Sequence, residues 1–253
     1  LLCAGVAGAL LTIRTRRLPR PRPVSVCACQ ESWKRNLLFV PPSGFWADDD
    51  WYDLQMERRL PLTRDVLREL IYALPPLKDL RVADLGAGTG RSGAALATAY
   101  PSIRLTLIDP DEGRLRMAVQ KLPQAMEHEC KCIAAAVAAD GTPLPGQDCG
   151  SYDCIVALQA VRHVVAPPVH YAAKLKLPVV TGEQEIAAGY AKMFAGIYAS
   201  LKPGGHFFLG DHVVHHHPGV FAHCQLLEEA GFTEIDVAWR QNDWFVIGAR
   251  RPV

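Results

Sequence analysis

The chain lacks several features that would place it in a specialised class. No sign of charge predominates, because 27 Lys and Arg accompany 26 Asp and Glu, and this balance argues against a nucleic-acid partner. There is no C-x2-C pair of the kind that holds zinc, and the spacing of the eight cysteines favours reduced thiols over a disulfide framework. At 253 residues and 49% apolar, the chain is large enough for a globular domain with its own core, which excludes disordered, collagen-like and coiled-coil classes.

The first 40 residues differ from the remainder in charge. They carry a net charge of +6 with one acidic residue, Glu31, whereas residues 41–253 carry −5. The apolar run at residues 1–13 is shorter than the roughly 20 residues that span a bilayer, and basic residues follow it instead of preceding it as in a secretory signal. Such a leader is typical of import into a mitochondrion or plastid, so we predict an organellar location. A truncated membrane anchor and a cytoplasmic location are the alternatives.

Helical and strand patterns alternate along the rest of the chain. Two helices are predicted within residues 46–74, and the strands that follow alternate with helices. The predicted strands are residues 81–85, 104–109, 132–138, 152–158, 206–209, 234–240 and 244–249. This alternation predicts an α/β fold, with a parallel sheet covered by helices on both faces. Because only residues 241–243 separate the last two strands, these two must form an antiparallel hairpin.

A glycine-rich turn follows the first predicted strand. Glycines at 86, 88 and 90 allow the chain to fold sharply from a strand into a helix and allow its backbone to approach a ligand closely. A dinucleotide site would have its third glycine at position 91, which is Arg91. Asp84 enters the turn, where a buried carboxylate would repel a phosphate but stabilise a cation. The turn therefore predicts a positively charged ligand without a diphosphate.

Two further acidic residues follow the next two predicted strands. Asp109 ends the second strand, where a carboxylate can accept both hydroxyl groups of a ribose. Asp140 follows the third strand and is placed to accept from the exocyclic amine of an adenine. Together with Asp84, these residues predict a site for an adenosine that carries a cation.

The sequence resembles the class I S-adenosylmethionine-dependent methyltransferases over about residues 46–252. The first motif of that family is matched by Val82-Ala83-Asp84-Leu85-Gly86-Ala87-Gly88-Thr89-Gly90. Further matches, in the family's order, are Leu107-Ile108-Asp109-Pro110, Ala139-Asp140-Gly141-Thr142-Pro143-Leu144-Pro145, Tyr152-Asp153-Cys154-Ile155-Val156-Ala157, Leu201-Lys202-Pro203-Gly204-Gly205 and Leu227-Glu228-Glu229-Ala230-Gly231-Phe232. Each motif alone is common, but the ordered set is specific.

The resemblance implies a fold, a cofactor and a set of site residues. The fold is a three-layer, doubly wound, Rossmann-like seven-stranded sheet, mostly parallel with an antiparallel C-terminal hairpin strand, within a domain at residues 41–253. The cofactor is S-adenosylmethionine. Its methionine part would lie along the glycine turn, its ribose at Asp109, its adenine at Asp140 and Gly141, and its sulfonium beside Leu158 and Gln159. The full set of implied cofactor residues is Asp84, Gly86, Ala87, Gly88, Thr89, Gly90, Asp109, Pro110, Asp140, Gly141, Leu158 and Gln159.

The methyl acceptor is less constrained by the sequence. The Asn/Asp-Pro-Pro-aromatic motif that family members use on amide or nucleobase nitrogen is absent, since residues 157–160 read Ala-Leu-Gln-Ala. This favours a small-molecule acceptor, methylated by in-line displacement. His163 and His212 are the candidate catalytic bases, because histidine titrates near neutral pH and both follow strands at the predicted site.

Two other segments bear on function. Six of the nine histidines fall between residues 206 and 223, but adjacent histidines point in different directions, so we predict a solvated loop and no metal. Residues 164–182 form an insertion, at which either the acceptor or a protein partner would bind. An alternative function is therefore a methyltransferase-like, non-catalytic subunit of a larger organellar complex, with this insertion and the leader as contact surfaces.

Overall fold

The computed structural model describes residues 49–60, 62–146, 149–169, 172–173 and 176–253. The leader at residues 1–40 lies outside the described residues. The helices are α1 (Asp49–Arg59), α2 (Thr63–Ala73), α3 (Arg91–Ala99), α4 (Glu112–Gln120), α5 (Gln124–Glu127), α6 (Val161–Val165), α7 (Glu183–Ser200) and α8 (Val220–Glu229). The strands are β1 (Arg81–Leu85), β2 (Arg104–Asp109), β3 (Lys131–Ala134), β4 (Tyr152–Leu158), β5 (Leu201–His212), β6 (Thr233–Gln241) and β7 (Trp244–Arg250).

The seven strands form one mixed sheet in the order β3-β2-β1-β4-β5-β7-β6. The first five strands pair in parallel, and β7 runs antiparallel to both β5 and β6. The predicted fold and the terminal hairpin are therefore confirmed. Strand order reverses between β1 and β4, so the connections that leave these two strands diverge and open a crevice at their carboxyl ends.

Apolar residues on the two faces of the sheet form two separate cores. In β1, Val82 faces one core whereas Ala83 and Leu85 face the other, as the two-residue period of a strand requires. One core contains Val66 and Leu70 of α2 and Leu96 of α3, and the opposite core contains Phe194 and Ile197 of α7. Because both faces are covered, the central parallel strands are buried along almost their whole length.

Two strands differ in length from the sequence prediction. Strand β3 covers only Lys131–Ala134 instead of residues 132–138, and as an edge strand it is largely exposed, so few apolar contacts favour a longer strand. Strand β5 begins at Leu201 rather than at His206, because the Lys202-Pro203-Gly204-Gly205 segment is absorbed as an irregularity in its pairing with β4. None of the described helices is long and apolar enough to cross a membrane.

The segment at residues 164–182 is partly packed and partly exposed where the structure describes it. Val165 packs closely against Gly189 on α7. An ideal Cβ built on Gly189 would lie only 2.6 Å from the Cγ1 atom of Val165. Ala172 is buried, whereas Val169 and Val179 are exposed. The described part of the segment is therefore anchored on α7 and presents apolar side chains to solvent.

Candidate cofactor and acceptor site

The glycine turn at residues 86–90 lies at the carboxyl end of β1, where the strand order reverses. All three of its glycines have positive φ, at 68° for Gly86, 51° for Gly88 and 88° for Gly90. Side chains other than glycine rarely adopt this backbone conformation, so the turn requires glycine at each position.

The three glycines differ in what surrounds them. A Cβ on Gly86 would lie 2.4 Å from the Cβ of Ala160, and a Cβ on Gly90 would lie 2.5 Å from the Cα of Ala118. These two glycines therefore permit close packing within the protein. A Cβ on Gly88 would meet only the carbonyl oxygen of Gly86, at 3.9 Å. Gly88 is thus the glycine whose open side can receive a ligand.

Asp84 is fully buried beneath this turn. One carboxylate oxygen, Oδ2, accepts a hydrogen bond from the Ser92 hydroxyl at 2.7 Å, and the backbone N–H of Gly93 also donates to the carboxylate. The other oxygen, Oδ1, has no hydrogen-bond partner among the described residues. Burial is the main cause that raises the pKa of Asp84 to about 7, and the nearby Asp109 carboxylate adds to it. A buried acid with an unpaired oxygen is suited to a cationic partner.

Asp109 ends β2 and is also buried. Its Oδ2 accepts from the backbone N–H of Gly88 at 2.9 Å, and its Oδ1 accepts from the backbone N–H of Asp111 at 2.9 Å. Burial raises the pKa of this carboxyl, although the two backbone donors act in the opposite direction. Asp109 therefore fixes the shape of the glycine turn, a role that the sequence analysis did not foresee.

Asp140 has a different environment, because it is exposed at the end of the connection that follows β3. Its Oδ1 accepts from both the backbone N–H and the hydroxyl of Thr142, at 2.9 and 2.7 Å. These hydrogen bonds lower the pKa of Asp140. Gly141 next to it has a φ of 92°. The pair forms a local turn that lies against α7, since an ideal Cβ on Gly141 would be 4.0 Å from the carbonyl oxygen of Lys192.

Helix α1 is attached to the glycine turn by polar contacts that the sequence did not predict. Asp53 accepts a hydrogen bond from the hydroxyl of Thr89 at 2.6 Å, and it forms an ion pair with Lys121, which follows α4. Thr89 and Ala87 are buried, and Pro110 is partly buried. No spacing rule marks Asp53 as a partner of Thr89, since 36 residues separate them.

Gln159 follows β4 and is the neighbour of Ala160, which contacts the glycine turn. Its backbone N–H donates to the carbonyl of Gly210 at 2.7 Å, which fixes its main chain between β4 and β5. Its φ is 53°, its side chain is buried, and its Nε2 atom has no hydrogen-bond partner among the described residues. Leu158, the last residue of β4, is partly buried.

A cationic and imidazole cluster continues from this point. Arg162 on α6 forms an ion pair with the buried Asp211 of β5 and contacts His212 Nδ1 at 3.0 Å through Nη1. Because arginine can only donate, His212 Nδ1 must be the acceptor, which leaves no basic nitrogen for a substrate when the ring is neutral. Burial is the main cause that lowers the pKa of His212, and its ring stacks on Trp244. This contact and the lowered pKa make His212 a weak base in this geometry, and its catalytic role stays a prediction.

His163 lies on α6 and is partly buried. Burial is the main cause that holds its pKa well below the usual range, and the positive charges of Arg162 and Arg114 act in the same direction. Smaller contributions come from His212 and His217. His163 is therefore a neutral imidazole near neutral pH.

The histidine-rich stretch is only partly a solvated loop. His215 and His216 are exposed, as predicted. His223 is buried, however, and the His217 Nδ1 atom lies 3.0 Å from the hydroxyl of the buried Tyr190. The prediction of a solvated loop is wrong for these inward-facing histidines, since the loop returns over α7. Among the residues that the structure describes, no three His, Cys, Asp or Glu side chains form a metal-binding group.

Comparison with known proteins finds similarity to methyltransferases over part of the chain. A family model described as a methyltransferase domain matches residues 83–177. A trans-aconitate 2-methyltransferase of Rhodopseudomonas palustris is 32% identical over 103 residues, which cover 41% of this chain and 36% of that protein. A malonyl-[acyl-carrier protein] O-methyltransferase of Geobacter sulfurreducens is 38% identical over 77 residues, which cover 30% of this chain and 26% of that protein. Residues 83–177 therefore match a methyltransferase domain, in agreement with the resemblance to the class I S-adenosylmethionine-dependent methyltransferases.

Solved structures of methyltransferases share the fold. The S-adenosylmethionine-dependent methyltransferase SibL has a TM-score of 0.52 at 18% identity, and the alignment covers 87% of this chain and 65% of SibL. Human N-acetylserotonin methyltransferase, solved with the cofactor, has a TM-score of 0.51 at 14% identity, with coverages of 85% and 61%. The sequence matches span only about a third of the curated relatives that the chain resembles. Likeness at this distance supports the methyltransferase fold and leaves the acceptor to be inferred.

The described residues fit the cofactor of the family, S-adenosylmethionine. The open side of Gly88 can receive the methionine part, and the unpaired Oδ1 of Asp84 lies beneath the turn. The turn is preceded by an acid and lacks the third glycine of a dinucleotide site, which agrees with a cationic ligand that has no diphosphate. The glycine turn and the buried acid beneath it are therefore compatible with a positively charged ligand.

Proposed function

We propose that this chain transfers a methyl group from S-adenosylmethionine to a small-molecule acceptor by in-line displacement. The observation that carries the proposal is the open backbone at Gly88, combined with a buried carboxylate whose Oδ1 is unpaired. A turn that served only to connect β1 with α3 would not require a buried, unpaired acid. The cofactor supplies an electrophilic methyl group on a sulfonium when it is bound.

The protein's own residues divide the binding of the cofactor between them. Gly88 admits it to the backbone of the turn, and Asp84 compensates its positive charge. Asp109 accepts from the ribose while it holds the turn through Gly88. Asp140 and Gly141 bound the adenine, at the edge of the sheet beyond β2. Leu158 and Gln159 border the sulfonium at the end of β4, and Ala87, Thr89 and Pro110 complete the walls of the site.

Acceptor positioning falls to residues at the carboxyl ends of β4 and β5. An in-line displacement requires the acceptor atom to lie opposite the sulfur, so the enzyme must mainly orient the acceptor and exclude water. Helix α1, held to Thr89 through Asp53, can cover the cofactor side of the crevice. His163 and Gln159 flank the acceptor side. The two curated relatives cited above are named for trans-aconitate and for malonyl-[acyl-carrier protein], which supports an acidic acceptor.

A binding experiment followed by a transfer assay tests this proposal. Isothermal titration of the full chain with S-adenosylmethionine and S-adenosylhomocysteine should give saturable binding at one site. Incubation with methyl-labelled S-adenosylmethionine and a metabolite extract should then give a labelled small molecule. Binding without any labelled product would favour the non-catalytic subunit, and a stoichiometric place in a large complex on native-mass purification would support it further. No cofactor binding would refute the proposal.

We further propose that residues 1–40 direct the chain to a plastid or mitochondrion. The support is the charge asymmetry, since these residues carry +6 and include one acid. Sequencing the amino terminus of the mature protein tests this directly. A terminus near Cys29 would support import, and a terminus at or before Leu1 would refute it.

A further inference from the structure

Gln159 is unusual among the described residues with positive φ. Five other residues that are not glycine share this conformation, namely Asp79, Lys176, His216, Glu234 and Asn242. All five are exposed, whereas Gln159 is only 6% exposed. A left-handed conformation at a residue with a side chain costs energy, and buried examples cluster at functional sites because the surrounding structure must enforce them. The backbone hydrogen bond from Gln159 to Gly210 provides that enforcement here.

The strained position holds a buried donor without an acceptor. The Nε2 atom of Gln159 is inaccessible to solvent and has no hydrogen-bond partner among the described residues. A buried donor that stays unpaired is destabilising, so native proteins rarely retain one without a reason. Both the strain and the unpaired donor are costs that a bound acceptor atom would offset.

The neighbouring side chains indicate the charge of that atom. His163, four residues along the chain, has no side-chain hydrogen bond among the described residues, and Arg162 and Arg114 are close enough to lower its pKa. A region in which two guanidinium groups oppose the protonation of a histidine also opposes the binding of a cationic amine. Asp211 compensates part of this positive charge through its ion pair with Arg162, and the remainder favours an anion.

Proton balance points to the same class of acceptor. A phenol or an ammonium group has an ordinary pKa near 10 and must lose a proton to become a nucleophile, which needs a competent base. His163 is a poor base because its pKa is depressed, and His212 Nδ1 is occupied by Arg162. A carboxylate is already deprotonated at neutral pH, so its oxygen can displace the methyl group without a base.

We propose that the acceptor is a carboxylate, bound through Gln159 Nε2 and the neutral imidazole of His163. The carboxylate oxygen forms the new O–C bond as the bond from sulfur to the methyl carbon breaks, and the sulfur keeps the electron pair of the broken bond. The products are a methyl ester and the uncharged thioether S-adenosylhomocysteine, and no proton transfer is needed. In this arrangement Gln159 is a specificity-determining residue, and His163 donates a hydrogen bond instead of removing a proton. The inference rests on the proposed function for its methyl source but not for its binding site.

Equilibrium binding tests the carboxylate site separately from the cofactor site. Trans-aconitate, malonate and benzoate, the trimethyl ester of trans-aconitate, and benzylamine are each titrated into the full chain with and without saturating S-adenosylhomocysteine. We expect at least one carboxylate to bind, while the ester and the amine do not. Gln159→Glu keeps the size of the side chain but places an anion against the carboxylate, and Gln159→Met removes the amide, including its donor, without adding a charge. Each variant should weaken carboxylate binding tenfold or more, the scale of a lost hydrogen bond to a charged group.

The matched control is Gln120→Glu, which introduces the same charge at an exposed position on α4 and should leave carboxylate binding unchanged. S-adenosylhomocysteine binding without binding of any carboxylate would overturn the carboxylate proposal and leave the proposed function standing. Carboxylate binding that depends on Gln159, without S-adenosylhomocysteine binding, would support the carboxylate site and refute the proposed function. Equal binding of the ester, tighter binding of the amine, or unchanged affinity in both Gln159 variants would also overturn the proposal.

Discussion

Replacing Asp84 by Asn should stabilise the cofactor-free protein at neutral and alkaline pH but not at acidic pH. The substitution keeps the size of the side chain and keeps an oxygen that can accept from the Ser92 hydroxyl. It removes the charge, which in the parent protein is buried and has one unpaired oxygen. An uncompensated buried charge is among the most destabilising features that a protein can contain.

The magnitude follows from the shift in the pKa of Asp84. Its pKa is about 7 in the folded protein against an ordinary value of 3.8. Between these values the folded state holds a proton that the unfolded state has lost, so the free energy of unfolding falls as pH rises. Each pKa unit corresponds to about 1.36 kcal/mol, so the full effect approaches about 4 kcal/mol above neutral pH. The part between about pH 5 and about pH 7 is about 3 kcal/mol.

Urea unfolding of the cofactor-free protein at about pH 5 and about pH 8, at constant ionic strength, measures this difference. The stability of Asp84→Asn relative to the parent should rise by about 3 kcal/mol between the two pH values. Asp140→Asn is the matched control, because hydrogen bonds from Thr142 lower the pKa of that exposed carboxyl and it stays charged over this range. A relative stability of Asp84→Asn that does not change with pH would show that Asp84 is charged throughout, and the reasoning would fail.

Four further outcomes are expected. Gly88→Ala and its control Gly204→Ala both place a side chain at positive φ, so each should lower the free energy of unfolding by about 1–2 kcal/mol. Calorimetry should show a loss of cofactor affinity only for Gly88→Ala. Asp109→Ala should weaken the binding of S-adenosylhomocysteine by about 1.5–3 kcal/mol. A smaller loss of binding free energy for the 2′,3′-dideoxy analogue would confirm a ribose contact, whereas equal losses for the two ligands would contradict it. S-adenosylmethionine affinity should rise as pH increases through about 7, because a bound cation favours the charged form of Asp84, and a flat profile would contradict that contact. Thr89→Val should weaken the attachment of α1 and speed amide exchange there, while leaving exchange in α7 unchanged.

The sheet could be predicted from the sequence because its signals are local. The two-residue period of β1 and the glycines of the following turn each depend on only a few consecutive residues. The ends of β3 were harder to predict, because an edge strand lacks the burial on both faces that marks β1. Strand β5 was longer than predicted because the pairing of Leu201 with Tyr152 of β4 extends it past a turn-like segment at one end, and pairing with β7 extends it to His212 at the other.

The glycine turn was predictable for the same reason, whereas the contacts around α6 and the histidine-rich stretch were not. Residues 84–90 act through consecutive backbone groups, so their spacing carries the information. The contact between Tyr190 and His217 joins positions 27 residues apart, and the pair of Arg162 and Asp211 joins positions 49 apart. Such pairs exist only once the chain has folded, so no spacing in the sequence indicates them. The inward-facing histidines were interpreted as a solvated loop for this reason.

Three acidic residues that look equivalent in the sequence have three different physical states. Asp84 is buried with an unpaired oxygen, Asp109 is buried with a backbone donor on each oxygen, and Asp140 is exposed within a local turn. Their pKa values accordingly move up for Asp84 and Asp109 and down for Asp140. A cationic ligand can gain most from Asp84, because this carboxylate has the least compensation in the cofactor-free protein. If Asp84 contacts the cofactor as proposed, the stability lost at Asp84 would contribute to the affinity for a cation, and the two quantities should change in opposite directions when that residue is altered.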